Sequence, residues 1–539
     1  MKSSKKFITF ITIITLLCNT SIASNDQLLH NALQANEAFR KSDLYVKGWL
    51  AHRDPLTGLI PRNLQNSYYW NAQDAAADNY PFMVLTSFFT DNKLFKGEML
   101  DMLHAEIKYT SRIGACPATF DLHTQTFKDS IADIGNIIFG SAEYMKDGLL
   151  PLTEWLGKSP WSKRLLNILD DLKKIIGKDG IVKEIKGNYL GGVQEIEVNG
   201  DLLQILSRVY WMTGDKKYLN WAIKIGDFYL LNQDNFIEKM PKIRLRDHGG
   251  EIVLGLCELY ATLHFTDINK KNRYKPALYR LMDKILECGR NEHGMFYDEI
   301  NPQNCTIISK HLADTWGYIL DGYYTIYLID KYLPYKNAVL FTLNNLEYYQ
   351  YHNWEYNSSD GIADAVESAI NLYNREPIAN VKTWIDNEIK EMFKKQKEDG
   401  VIEGWHGDGN FARTAIMYAL WKTQGCYINN WNENILIGSD LINDELNVLL
   451  YAKESWNGKL FFDTQRHERN LKLPIDWTRI NQFPEWFTLD ENTTYQICYN
   501  NKTYFSKGKT LKKGIAFNLT QKEKITIKIK AVKPQGNHK

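Results

Sequence analysis

"HLADTWGYILDGYYTIYLID", His311–Asp330, opens on His311, Asp314 and Thr315 and then turns apolar or aromatic on nearly every side. A helix lying on a protein surface carries one polar stripe. This one has a wet beginning and no wet face, which predicts a helix touched by protein all round. A single carboxylate at such a start is ordinarily an N-cap, because Asp satisfies the first free N–H groups. The design recurs along the chain, and the recurrence changes what the carboxylates mean.

"RDHGGEIVLGLCELYATLHF" (246–265) leads with Asp247, His248 and Glu251, and "NGDLLQILSRVYWM" (199–212) with Asn199 and Asp201. "SSDGIADAVESAINLY" (358–373) brings Asp360 and Asp364; "HGDGNFARTAIMYALW" (406–421) brings His406, Asp408 and Arg413. "AQDAAADNYPFMVLTSFF" (72–89) leads with Asp74 and Asp78, and "DSIADIGNIIFGSAEYM" (129–145) is a weaker copy. Between them lie helices of a second kind, such as "SKRLLNILDDLKKIIGK" (162–178) and "VKTWIDNEIKEMFKKQ" (381–396), with an apolar stripe and a charged opposite face. Glycine-bearing returns ("LTGLIP", "KDGIVK", "EHGMFY", "EDGVIE") carry the chain back. One repeated supersecondary unit of two helices predicts an inner ring of buried helices inside an outer ring. The expectation is a mainly α chain: an (α/α)6 toroid over residues 24–430, or (α/α)7 if the weaker copy counts, then a small β-rich C-terminal domain over 431–539. The β-rich reading rests on the alternating stretches "NVLLYAKESWNGKLFFDTQ" and "KITIKIKAV". "LPIDWTRINQFPEWFTLDE" (473–491), rich in Trp and Pro, is expected to pack against the toroid.

Residues 1–23 read as an export signal, with Lys2, Lys5 and Lys6 before an apolar run and small residues at Ser21 and Ala23. The expected location is the periplasm or the medium; lipid attachment at Cys18 is the alternative, for which Leu17 is a poor match. No later segment is long and apolar enough to span a bilayer. Lys plus Arg (65) nearly balances Asp plus Glu (64), so neither nucleic acid nor a charged membrane surface is implied as a partner; oligomeric state is not legible. Cysteines are scattered without a C-x-x-C pair, so no metal or other cofactor is expected. Cys288 and Cys305 bracket a loop and form the pair to test for a disulfide.

The alternation of helix kinds, with "TGDKKYL", "WNAQDAAADNYPF", "RDHGGE", "HLADTWGY" and "GDGNFARTA", resembles the six-hairpin glycosidase superfamily over roughly residues 30–425. The resemblance implies an α/α toroid and a carbohydrate-active enzyme, uronic-acid glycosidase-like, with β-glucuronidase-like members among those it is similar to.

Glycoside hydrolysis needs one carboxyl held protonated and one ionised. Crowded acids raise the pKa of one member, whereas helix N-termini favour the charged form. On that logic Asp247, Glu251, Asp314, Asp201 and Asp364 are base or positioning candidates, and Asp74, Asp78, Glu195 and Glu197 acid candidates. In "QEIEVNGD" the alternation reads as a short strand. Asp78, Asp247, His248, Asp314 and Asp364 form the expected catalytic set. Asp74, Glu197, Asp201, Arg246, Glu251, Trp316, Asp360, His406, Asp408 and Arg413 are expected to contact an oligo- or polysaccharide, with Arg244, Arg246 and Arg413 available to a uronate carboxylate. A polysaccharide lyase using His248 with Tyr318 or Tyr323, or a non-catalytic glycan-binding protein, remain the alternatives.

Overall fold

The two alternating helix patterns build two concentric rings. In this computed structural model residues 25–183, 194–246 and 250–532 are described. The first helices are α1 (Asn25–Ala51), α2 (Tyr80–Thr90), α3 (Glu98–Thr110), α4 (Ile134–Glu143) and α5 (Pro160–Ile176). They are followed by α6 (Gln194–Thr213), α7 (Lys216–Leu230), α8 (Glu251–Thr266), α9 (Ile268–Cys288) and α10 (Trp316–Asp330). The last four are α11 (Leu333–Asn344), α12 (Ser359–Arg375), α13 (Ala379–Lys394) and α14 (Asn410–Lys422). The even-numbered helices form the inner ring: from α4 to α14 each packs on the next, α14 packs back against α2, and the stretches Ala72–Asn79 and Tyr144–Leu149 join α2 to α4. In α10 every residue from Trp316 to Ile326 is buried, as its sequence required. The outer helices show the stripe instead: α5 buries Trp161, Leu165, Ile168, Leu169 and Leu172 at helical spacing.

The ring has seven inner members among the described residues. The weaker copy around α4 is a full member, and α1 serves as outer partner to α14. Two inner members are not regular. A π-helical stretch, Ala72–Asn79, leads into α2, and another, Tyr144–Leu149, continues α4 into a short helix Leu150–Leu156. Such wide turns often sit at functional sites. The "EDGVIE" return shows why glycine is needed there: Gly400 has φ 90°, and a Cβ would lie 2.1 Å from the Leu44 carbonyl oxygen.

Strands dominate after α14. β1 (Ile435–Ile442), β2 (Glu445–Ala452), β3 (Trp456–Phe461), β4 (Thr494–Tyr499), β5 (Lys502–Lys507), β6 (Ile515–Leu519) and β7 (Lys524–Ala531) are antiparallel. One sheet runs β1-β2-β7-β4-β5, and a second pairs β6, β3 and the short strand Tyr427–Asn429. The first sheet is fastened to α1: Leu28 and Ala32 pack on Leu436 and Leu449, and Asn31 donates to the Ser439 carbonyl at 2.8 Å.

Seven helices about 10 Å apart place their axes about 11–12 Å from the centre, leaving a hole about 6 Å in radius once helix bulk is subtracted. That is wide enough for a chain. The hole is filled from the C-terminal ends of the inner helices by residues between β3 and β4. Trp477 and Arg479 are fully buried there. Trp477 Nε1 donates to Glu258 at 3.2 Å, Thr478 Oγ1 to the Asp321 carbonyl at 2.7 Å, and Arg479 forks onto Glu154 at 3.2 and 2.8 Å. This segment is a plug.

The Cys288–Cys305 pair forms a disulfide, tying the end of α9 to the hairpin Tyr297–Asn301/Thr306–Leu312 that leads into α10. Among the described residues, no helix is long and apolar enough to cross a membrane.

Candidate active site

The open end of the ring holds a cavity of about 910 Å³. The inner helices begin there, so their starts converge on it. Asp74, Asp78, Glu197, Arg246, Asp360, Asp364, His406 and Asp408 all line it.

Cap duty falls elsewhere for most of these acids. At the outer helices, Asp215 caps α7 and Asp267 caps α9. At α12 the cap is Ser358, whose hydroxyl accepts from Gly361 N, so Asp360 and Asp364 are not engaged as caps. Asp408 keeps a weak cap-like bond from Phe411 N at 3.4 Å.

Three carboxyls at the mouths of α12 and α14 differ in state. Burial, with His406 opposing and Asp364 adding repulsion, pushes Asp408 up to about 6. Burial, then Asp364 and Asp408, raise Asp360 well above the usual carboxylate range; its Oδ1 accepts from Asn410 Nδ2 at 2.7 Å. Asp364 instead receives Arg413 Nη2 at 2.6 Å, and an adjacent guanidinium favours the ionised carboxylate. Arg413 is buried beneath the cavity floor and also faces Glu367 at 3.2 Å. Two carboxyls pushed toward the protonated form therefore sit beside one that is paired with a guanidinium.

On a second wall the π-helical stretch before α2 presents Asp74 and Asp78. Asp74 accepts from Arg62 Nε at 2.5 Å and from the Asn71 amide. His406 Nε2 lies 3.8 Å from each aspartate. Burial works against charge on the imidazole, but Asp74 and Asp78 outweigh it and raise its pKa above the ordinary value. The three side chains place ligand atoms within 4.8 Å of one another, so they could also hold a divalent cation.

A third group surrounds Lys146 in the other π-helical stretch. Its ammonium lies 2.9 Å from Asp147, 3.7 Å from Asp201 and 2.7 Å from Glu251. Burial opposes the charge, yet these carboxylates hold it well above its usual pKa. Burial pushes Glu251 up to about 7 and raises Glu143 strongly, with Asp201 adding repulsion. Glu143 and Glu197 turn their faces to the cavity; Asp201 and Glu251 lie deeper and do not line it.

Asp314 also stays off the lining. Its Oδ1 accepts from Thr315 N at 3.0 Å and sits 3.5 Å from Arg246 Nε. Arg246 is further engaged by Glu355 at 2.5 Å. Trp316 is fully buried in the core, as the first residue of a helix whose opening turns are buried on every side. Glu195 and Glu197 lie in the first turn of α6, not on a strand; three alternating residues are too few to outweigh the helical run that follows. Asp247 and His248 lie outside the described residues. The tyrosines considered for a lyase are poorly placed: Tyr323 donates to the Met282 carbonyl in the core. Tyr318, pushed well above its usual pKa by burial and then by Asp364, donates to Glu367 at 2.8 Å.

Several lining residues escaped the sequence. Glu143 belongs to the weak copy, as does Lys146 behind the lining. Trp405 and Tyr356, each 74% exposed at the rim, flank the cavity on two loops, and Arg62 lies 5.1 Å over the Trp405 ring. An aromatic in a loop directly before a helix mouth ("EGWHGDG", "WEYNSSDG") was the available signal. Glu355, Tyr356 and Asn357 all have left-handed φ (40°, 57°, 62°), a run of strain of the kind that clusters at ligand sites.

No family model matches the chain, and no curated protein matches it in sequence. Among solved structures, the chain is similar to a family 76 glycoside hydrolase from a bovine Bacteroides thetaiotaomicron strain (13% identity, covering 59% of this chain and 76% of that one, TM-score 0.41). It is similar to an inactive variant of an α-1,6-mannanase of Salegentibacter sp. HEL1_6 in complex with α-1,6-mannotriose (9%, 71% and 98%, 0.39). A cellobiose 2-epimerase from Bacillus thermoamylovorans gives 11%, 59% and 87%, and 0.39. Likeness at these TM-scores carries neither activity nor substrate to this chain.

Proposed function

We propose that this protein is a glycoside hydrolase that cleaves an oligo- or polysaccharide with two carboxyl groups. One observation carries the reading: at adjacent helix mouths lining one cavity, Asp408 is buried and pushed up while its neighbour Asp364 is paired with Arg413 at 2.6 Å. Asp408 protonates the departing glycosidic oxygen, and Asp364 acts as nucleophile or as the base that activates water. Asp360 is the second proton-holding carboxyl. The cavity volume lies at the top of the small-ligand range, which suits a run of sugars. Trp405 and Tyr356 offer faces on which pyranose rings can stack.

The substrate is read as neutral. Among the described lining residues, nine carboxyl groups (Asp74, Asp78, Glu143, Glu197, Glu355, Asp360, Asp364, Glu403, Asp408) face four permanent cations (Arg244, Arg246, Lys395, Lys397). With Glu143, Asp360 and Asp408 pushed toward the protonated form, the other six still outnumber the cations, a balance that disfavours polyanions. A uronic-acid substrate is the second reading, favoured by those same four cations in the lining. Hydrolysis of matched neutral and uronic-acid oligosaccharides by the purified protein, read by mass, tests both: cleavage with gain of one water on the neutral set is expected, and cleavage confined to uronates would reverse the order.

Export belongs to the same proposal. The buried-end disulfide Cys288–Cys305 supports an oxidising compartment. N-terminal sequencing of protein from a secreting host should find a start near Ser24; retained Met1 would contradict it.

A further inference from the structure

The plug does more than fill a hole. Its apex, Asn481, reaches mid-depth in the ring with a left-handed backbone (φ 57°), a conformation Asn tolerates better than most residues. It is 3% exposed, and its backbone N–H and both side-chain polar atoms are engaged. The backbone N–H donates to Glu367 Oε1 at 2.7 Å, Nδ2 donates to Asp147 Oδ1 at 2.9 Å, and Oδ1 accepts from Arg413 Nη1 at 2.8 Å. One side chain from the strand-rich region thus bridges two charged groups of the site: Lys146 with Asp147, and Arg413 with Asp364. An amide is suited to this, since it donates to the carboxylate and accepts from the guanidinium at once.

We propose that Asn481 is a positioning residue of the site, which fixes the Arg413 guanidinium against Asp364 from below and so makes the C-terminal plug part of the catalytic floor. This rests on the glycosidase reading of the cavity. Asn481 itself does not line the cavity, so it acts on the reacting groups only through Arg413. A merely structural plug would hold the fold and leave Asp364 unchanged.

The test uses the full chain in three forms: wild type, Asn481→Gly and Asn481→Ala. Both substitutions delete both side-chain bonds without adding charge; glycine accepts the left-handed backbone, and alanine keeps a stiffer chain. The first readout needs no substrate. With ¹³C-carboxyl labelling, and Asp364→Asn to assign the signal, the Asp364 midpoint should move to higher pH in Asn481→Gly and Asn481→Ala alike. On a cleaved glycan, kcat of Asn481→Gly should fall about 10- to 100-fold, the scale expected for slight misplacement of catalytic groups. KM should stay within about threefold, because the lining is intact, and the acid limb of kcat/KM should move up in pH with Asp364. Folded Asn481→Gly with an unmoved Asp364 midpoint would overturn the proposal. Should Asn481→Gly not fold, Asn481→Ala decides alone: a midpoint moved to higher pH, toward that of an Arg413→Met control, supports a role through Arg413, and an unmoved midpoint overturns it. Failure of the wild type to cleave any glycan would instead overturn the reading of the cavity and leave the carboxyl titration to decide Asn481.

Discussion

The two ends of the ring use the same residue types to opposite effect. At the plugged end two buried acids, Glu154 and Asp476, are paired with arginine. Glu154 is forked by Arg479, and Asp476 sits 2.9 Å from Arg479 and 2.6 Å from Arg375. Burial opposes their charge, yet those guanidiniums hold both carboxyls below the ordinary range. At the open end acids outnumber cations, and Asp408, Asp360 and Glu143 are pushed up. Glu154 and Asp476 are held by guanidiniums, whereas the raised acids at the open end gather where carboxyls outnumber cations.

The sharpest break between the ends is in rate. Asp408→Asn should lower kcat by about 10²–10⁴-fold, the usual contribution of acid–base help, with the thermal midpoint kept or raised, since a crowded buried carboxyl is removed. Glu154→Gln should leave kcat nearly unchanged. Steady-state kinetics with melting curves on both variants would show whether the division holds.

Stability should respond in the reverse pattern. Arg479→Leu strands Glu154 and Asp476 without their shared guanidinium, and breaking a buried pair from one side costs about 3–5 kcal/mol. Chemical denaturation measures it. A loss under about 1 kcal/mol would mean that the plug's ion pairs are dispensable. Next in size is the Cys288→Ser/Cys305→Ser double variant, which opens a disulfide of sequence separation 17 and should cost about 3 kcal/mol on the chain-entropy account.

The pH dependence separates the ends by sign. Asp408 is raised in the folded state above its unfolded value of about 3.9, so its folded form binds the extra proton. It therefore costs wild type stability progressively as pH rises from about 4 through about 6, and no more above that. The lowered Glu154 and Asp476 act oppositely: the stability they give is present above the unfolded value and lost as pH falls below about 4. The gap in midpoint between Asp408→Asn and wild type should accordingly widen between pH 4 and 6 and then level off. A gap constant across that window would contradict the assignment. The smallest effect belongs to Trp405→Ala: at 74% exposure stability should change by no more than about 0.5 kcal/mol, while KM for an oligosaccharide rises.

The inner ring was legible because all-round apolar helices cannot be mistaken for surface ones. Its count was not, since the stretch around α4 is interrupted by a wide turn carrying Lys146 and Asp147 into the ring. Helix starts located Asp74, Asp78, Asp360, Asp364 and Asp408 at the mouth. The same rule put Asp201, Glu251 and Asp314 there too, although depth in the ring, invisible in a linear pattern, turns them toward Lys146 and Arg246. Asn481 had no local signal at all. Its role arises because a seven-membered ring leaves a hole and a segment more than fifty residues beyond α14 fills it.

The central claim is that surplus acid at the open end cleaves a glycosidic bond. Incubation of wild type, Asp364→Asn and Asp408→Asn with a panel of neutral and uronic-acid oligosaccharides in H₂¹⁸O, followed by mass spectrometry, tests it most directly. Wild type should yield fragments that together carry one added water with a single ¹⁸O at the new reducing end, and each variant should fall by at least about 100-fold. Cleavage that persists unchanged in both variants, or products lacking the added water, would contradict the account.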